Sequence, residues 1–217
     1  MEAEQMVLAH HPIRRIYAAP IPYPFNARSR LGRLIQRACW YLPDQDAAEL
    51  LEALASTVMI ESELRLEHVH GVQSDAPGRQ DDYGVVSRRV ITDAGAAAVV
   101  NAFRNTFEME LFNFHGLGTG ATAEAVGQTA LVTELTTQYS TDNTRPTGTQ
   151  SAPAANQYQS VATITVDAAA TITEHGLFSQ AAAPGGTLWD RSLFAGLALN
   201  SGDSIIATYI ATITSGG

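Results

Sequence analysis

From Phe107 to the C-terminus, short apolar runs are cut by turn residues about every eight to twelve positions, a spacing that commits the chain to a β-sandwich or barrel. Thr, Ala, Gly and Ser dominate this half, and few of its residues are of types that do chemistry. The final run, SIIATYIATIT after Gly202-Asp203, shows the pattern best. Ile205, Ala207, Tyr209, Ala211 and Ile213 fall on one face of a strand, and Ser204, Ile206, Thr208, Ile210 and Thr212 on the other. Apolar residues on both faces predict a strand covered on both, in the middle of a sandwich or between subunits. Such a chain reads as a building block more than as an enzyme.

The 217 residues suffice for one good-sized core with an attachment, and 45% hydrophobic residues fit a globular protein. No apolar run approaches the roughly 18–20 residues that span a bilayer. The opening MEAEQ is acidic where an export signal would be basic, so none is expected. Cys39 is the only cysteine, which excludes an intrachain disulfide and suits a buried thiol. All 13 positive charges are arginine, the cation better suited to planar, bidentate contacts. Within a net charge of −9, residues 1–40 carry +4, residues 41–112 carry −8 and residues 113–217 carry −5. A basic arm on an acidic body suits a grip on a neighbouring copy or an acidic partner. The overall charge is wrong for nucleic acid, and no membrane partner is implied.

Residues 1–26 read as an extended arm, since Pro12, Pro20, Pro22 and Pro24 exclude helix. Its Ile13, Ile16, Tyr17, Ile21, Tyr23 and Phe25 are too apolar for a solvated tail. Residues 27–72 form a helical or mixed segment. A helix capped by Ser29 runs to Tyr41, and a second, capped by Asp44 or Asp46, ends near Val58. Met59–Val72 alternates imperfectly and fits strand or helix. The polar stretch 73–82, with Pro77-Gly78, reads as a linker and domain boundary, which leaves 83–217 as the sandwich domain. There YGVVSRRVIT is a strand, and Thr92 caps a helix with Ala96, Val99, Val100 and Phe103 on its buried side. Phe107, Met109 and Leu111 alternate as in a half-buried strand.

Gly116-Leu-Gly-Thr-Gly120 has the look of a phosphate loop, but no lysine exists and no apolar helix follows, so a turn or bulge ending a strand is expected. His68 and His70, two apart beside Glu67, would share one face of a strand and could seed a metal site. With no third ligand implied, polar surface or a subunit contact is the expectation. His115 and His175 each open a His-Gly-Leu triplet, in NFHGLGTG and TEHGLFSQ, and two similar turns side by side would bring the imidazoles together. A shared metal or an acid/base pair of one of these histidines with Glu174 is the functional reading. The structural one is a histidine bonding a loop backbone beside a glycine of positive φ. Trp189-Asp190-Arg191 reads as an aromatic anchor next to a local Asp–Arg pair at a sheet edge. No Ser-His-Asp, Cys-His or paired-carboxylate arrangement stands out, so no catalytic, cofactor or metal residue is assigned.

Three runs together, YGVVSRRVITDAGAAAVVNAF, then NFHGLGTGATAEAVGQTALVTELTTQYSTDNTRPTGTQ, then NQYQSVATITVDAAATITEHGLFSQAAAPGGTLWDRSLFAGLALNSGDSIIATY, resemble a family of tailed-bacteriophage virion structural proteins. The resemblance covers roughly residues 83–213. The resulting expectation is a mainly β fold: a C-terminal antiparallel, jelly-roll-like β-sandwich with one inserted helix, preceded by the Pro-rich arm and helical hairpin, which lie outside the resemblance. The resemblance also implies a particle protein in the virion, assembled in the host cytoplasm as a dimer or trimer against major capsid or other virion proteins. The favoured role is capsid decoration (cement). A tail or head fibre adaptor for host attachment is the alternative, and a jelly-roll carbohydrate-binding protein or enzyme a third.

Overall fold

The structure, a computed structural model, describes residues 58–88 and 91–215. The expected arm, both helices of the hairpin and Cys39 lie outside the described residues. The chain divides into two units, residues 1–59 with 214–217, and residues 60–213. The second holds the fold described here.

Alternating apolar residues fold into eight strands: β1 (Met59–Val69), β2 (Gln80–Ser87), β3 (Phe114–Gly118), β4 (Thr149–Ser151), β5 (Gln157–Thr165), β6 (Ala170–Phe178), β7 (Leu188–Leu199) and β8 (Ser204–Thr214). One antiparallel sheet has the order β2-β1-β8-β5-β4, the other β3-β6-β7. The expected mainly β, antiparallel character with one helix is therefore observed. The C-terminal run is the central strand of its sheet, and among the described residues one of its faces is buried and the other only partly covered. Ile205, Ala207, Tyr209 and Ala211 are buried, whereas Ile206, Thr208, Ile210 and Thr212 are only half-buried and Ile213 is exposed.

The imperfect alternation over Met59–Val69 resolves as strand, with Ser62, Leu64, Leu66 and His68 inward. Residues 73–82 are no domain boundary. They form the loop and the first residues of β2 in the β1–β2 hairpin, and the division falls at Met59/Ile60. A polar, Pro-Gly segment suits a hairpin loop as well as a linker, because both need solvated backbone.

Side chains from both sheets share a core. One cluster gathers Leu64, Ile164 and Ile205 from the larger sheet with Leu117, Ile172 and Leu197 from the smaller. A second joins Tyr209 and Ala211 to Leu177, Trp189, Phe112 and Ala98. Full burial of each Leu or Ile stabilises by about 1.5–3 kcal/mol.

Thr92 caps the one α-helix among the described residues, α1 (Asp93–Phe103), as the sequence predicts, its Oγ1 accepting from Gly95 N at 3.0 Å and donating to Leu188 O at 2.6 Å. The buried side is not the expected one. Gly95 and Ala98 face the body, and Val100 and Phe103 are 59% and 88% exposed. The reason is contact distance: a Cβ on Gly95 would lie 2.8 Å from the Trp189 carbonyl oxygen, so only the small-residue side fits against β7. Nor do Phe107–Leu111 form a strand, since Met109–Leu111 is a single 3-10 turn.

Residues 119–148, between β3 and β4, contain almost no regular structure yet are held closely over the outward side of β3-β6-β7. The GTGATAE motif turns out to cradle an anion that the chain supplies itself. The Glu174 carboxylate accepts from the backbone N–H groups of Gly120, Val132 and Thr133 at 3.0, 3.1 and 2.8 Å. A Cβ on Gly118 or Gly120 would come within 2.5 Å of Glu174 Oε1, so both positions require glycine. Arg191 Nε donates to Glu174 at 2.7 Å, and its Nη1 reaches Thr122 O and Gln128 Oε1. Asp190 and Arg191 thus point to opposite sides of β7, and the expected local pair is not formed. Asp190 instead meets Ser62 and Ser192. A second pair, Arg145 with Glu134, fastens the loop's other end: Arg145 donates to the carbonyls of Gln180, Ala182 and Gly185 and lies 3.6 Å over the Phe178 ring.

Breaking one partner of a fully buried ion pair leaves an uncompensated charge. Arg191→Met is therefore expected to cost about 3–5 kcal/mol, and Glu174→Met/Arg191→Met together less than the sum of the two singles. Urea unfolding measures both, and limited proteolysis should show new cuts within 119–148 in the single variant.

Candidate functional site

The two His-Gly-Leu triplets meet as the sequence predicts, but in mid-strand rather than at turns. β3 and β6 run antiparallel with His115 opposite Leu177, Gly116 opposite Gly176 and Leu117 opposite His175. This crossing puts both imidazoles on the inward face. His115 Nδ1 lies 3.0 Å from His175 Nε2, and His115 Nε2 lies 2.8 Å from Ser160 Oγ on β5, so the relay joins the two sheets. Neither glycine has a positive φ. Their role is space: a Cβ on Gly116 would meet Glu134 at 2.9 Å, and one on Gly176 would meet Phe178 at 2.8 Å. The His–Glu174 pair of the functional reading is not formed with either ring, because Glu174 lies on the outward face and both imidazoles lie on the inward one.

All three relay residues are fully buried, and His175 Nδ1 has no partner. Burial pushes the His115 imidazole down to about 3. Burial, reinforced by the neighbouring His115, holds His175 well below the usual histidine range. Both rings are neutral at physiological pH, and the relay couples the two sheets.

His68 and His70 are not simply polar surface. His68 is buried, with Nε2 3.0 Å from Asp203 Oδ2, and the two imidazole centroids lie 4.1 Å apart. His70 Nε2 lies 2.8 Å from Asp81 and 2.9 Å from Arg79, itself 2.6 Å from Asp81. Burial pushes Asp203 up, but the backbone N–H groups of Asn200 and Gly71 and the His68 ring outweigh it and hold this carboxyl below its ordinary value. Sequence reading missed Asp203 because Gly202-Asp203 reads only as a turn and stands 135 positions from His68.

Among the described residues an apolar groove of about 540 Å³ is lined chiefly by Ile60, Val99, Phe112, Tyr158, Trp189 and Ala211. Its floor is fixed. Phe112 stacks on Trp189 with centroids 5.0 Å apart, Trp189 Nε1 donates to Tyr209 Oη at 2.7 Å, and Tyr158 Oη donates to Phe112 O at 2.5 Å. Val99 on the groove wall is followed by exposed Val100, so the groove adjoins the outward stripe of α1. No sequence period predicts this groove, because its walls come from five separate elements. The nearest signal is the tryptophan.

A scan against protein-family models finds no match, and neither does a search of curated proteins. The geometry carries the functional argument.

The relay makes stability depend on pH in one direction. In the unfolded chain both histidines take up protons near pH 6.5, and in the fold His115 refuses one until about pH 3. Unfolding therefore takes up protons below pH 6.5, and stability falls as pH is lowered through that window, by up to about 1.4 kcal/mol per pH unit for each histidine. Denaturant melts at pH 7.0, 6.0 and 5.0 should show this loss, and His115→Gln/His175→Gln should flatten the slope.

Proposed function

We propose that the protein is a structural component of a tailed-bacteriophage particle, acting as a capsid decoration (cement) protein that bridges major capsid subunits without turnover. The observation that carries this reading is the mounting of α1. Its small side is buried, and Val100 and Phe103 face solvent beside an aromatic-floored groove. Contiguous apolar surface of this kind marks an interaction site on a soluble protein. Its occupant is an apolar segment of a neighbouring virion subunit, which the groove takes up while the helix stripe extends the contact. The sequence resemblance over 83–213 supports the same reading. So does the crossing of the two sheets by a shared core, with first and last strands adjacent, as a jelly-roll-like β-sandwich requires.

Cement proteins need modest contacts repeated many times. An interface of about 1,600 Å², formed by each copy with several neighbours, stabilises a shell strongly even when each contact is weak. The arm over 1–26 is the second attachment in this proposal, and its positive charge makes release sensitive to salt. The protein itself is a dimer or trimer on the particle.

Phe103→Asp should leave folding intact, because that side chain is solvent-facing, yet weaken incorporation at least about tenfold, the loss typical of a central aromatic contact. Deleting residues 1–26 should weaken it as well. Particles lacking the protein should release DNA at lower temperature or milder osmotic shock. If they are equally robust but fail to adsorb to host cells, the fibre-adaptor role replaces the cement role.

A further inference from the structure

The chain ends of the β1–β2 hairpin and the β7–β8 turn meet at one pole of the fold, and metal-ligating side chains meet there too. His68, His70 and Asp203 each offer a ligand atom, and these lie within 4.8 Å of one another. We propose that this cluster is a zinc site that ties the β1–β2 hairpin to the β7–β8 turn. This inference is independent of the role in a virion.

Two imidazoles and one carboxylate form a donor set that zinc accepts, with the fourth tetrahedral position left to water. The separations are close to what the ion needs. Zinc–ligand bonds of about 2.0–2.1 Å place tetrahedral ligands about 3.3 Å apart. His68 Nε2 and Asp203 Oδ2 already stand at 3.0 Å and need to open by only a few tenths. His70 has to close the remaining distance, and it sits past the end of β1, where the chain turns into the hairpin loop.

The carboxylate is fixed in advance. Asp203 Oδ1 accepts from Gly71 N at 2.7 Å and Oδ2 from Asn200 N at 2.8 Å, so its orientation does not depend on the metal. Outer hydrogen bonds of this kind orient ligands in metal sites. Zinc takes the place of the hydrogen bond between His68 Nε2 and Asp203 Oδ2, and a neutral His68 carries its one ring proton on Nδ1.

Arg79 is the residue that opposes a cation here. Its Nη2 stands 2.9 Å from His70 Nε2, and its side chain is 55% exposed. Its pairing with the exposed Asp81 is of the weak surface kind, so the guanidinium can turn outward when the ion enters.

The test is equilibrium dialysis of the full chain against zinc sulfate with elemental analysis, alongside thermal melts with and without zinc. One zinc per chain is expected at this pole, with a rise in Tm. His70→Ala should weaken binding at least about tenfold and remove the Tm rise. Arg79→Ala should tighten binding by about threefold or more, because a positive charge beside the ion is gone. A zinc-independent Tm overturns the proposal. So does binding that survives His70→Ala unchanged, which would put the ion elsewhere, for instance at His10-His11. Should His70→Ala fail to fold in zinc-free buffer, Arg79→Ala decides alone, and unchanged or weaker zinc binding there overturns the site.

Discussion

A single carboxylate, that of Glu174, organises the side of the molecule on which the longest irregular segment lies. It is fully buried on the outward face of β6, and it collects three backbone N–H groups from residues 120–133 together with the Arg191 guanidinium. An ion so placed is costly unless every lone pair is used, and the chain uses them by bending a segment without helix or strand around it. The glycines at 118 and 120 follow from that need, because any side chain there would collide with the carboxylate. Arg145 repeats the device with opposite sign: a buried cation satisfied by Glu134 and three carbonyls. Two charges of opposite sign thus give an irregular segment the definition that sheet pairing gives elsewhere.

The inward side is specified differently. Between the two apolar clusters sit His115, His175 and Ser160, bonded in series from one sheet to the other. A slip of one residue between β3 and β6 would turn one of the two imidazoles outward and break the series. The relay therefore selects one register, and the two glycines at its centre, Gly116 and Gly176, let the strands carry Phe178 and the Arg145–Glu134 pair on the opposite face.

Much of this was legible in the sequence. Period-two alternation marked the strand over 204–214, the Thr92 cap marked the start of α1, and the twin triplets marked the meeting of two histidines. What was not legible depends on partners far away in the chain. The buried side of α1 is decided by how close β7 comes at Gly95, not by which residues of the helix are largest. The third member of the His68–His70 cluster arrives from the β7–β8 turn, and the groove has no wall of its own in any one segment. The phosphate-loop likeness of 116–120 was chemically sound, since its backbone does hold an anion, but the anion belongs to the chain.

The close seat of α1 has a mechanical consequence. Because Gly95 and Ala98 bring the helix against β7 with no long side chains between, and because Thr92 ties its first turn to the Leu188 carbonyl, the helix is stiffly mounted rather than hung on a flexible layer. Phe103 is then a fixed prong on a rigid stem. A partner meeting it orders little beyond one aromatic side chain, so little of the binding energy is lost to conformational entropy. The same stiffness leaves the free protein unable to fold that ring away, and an isolated copy carries an apolar knob until something covers it.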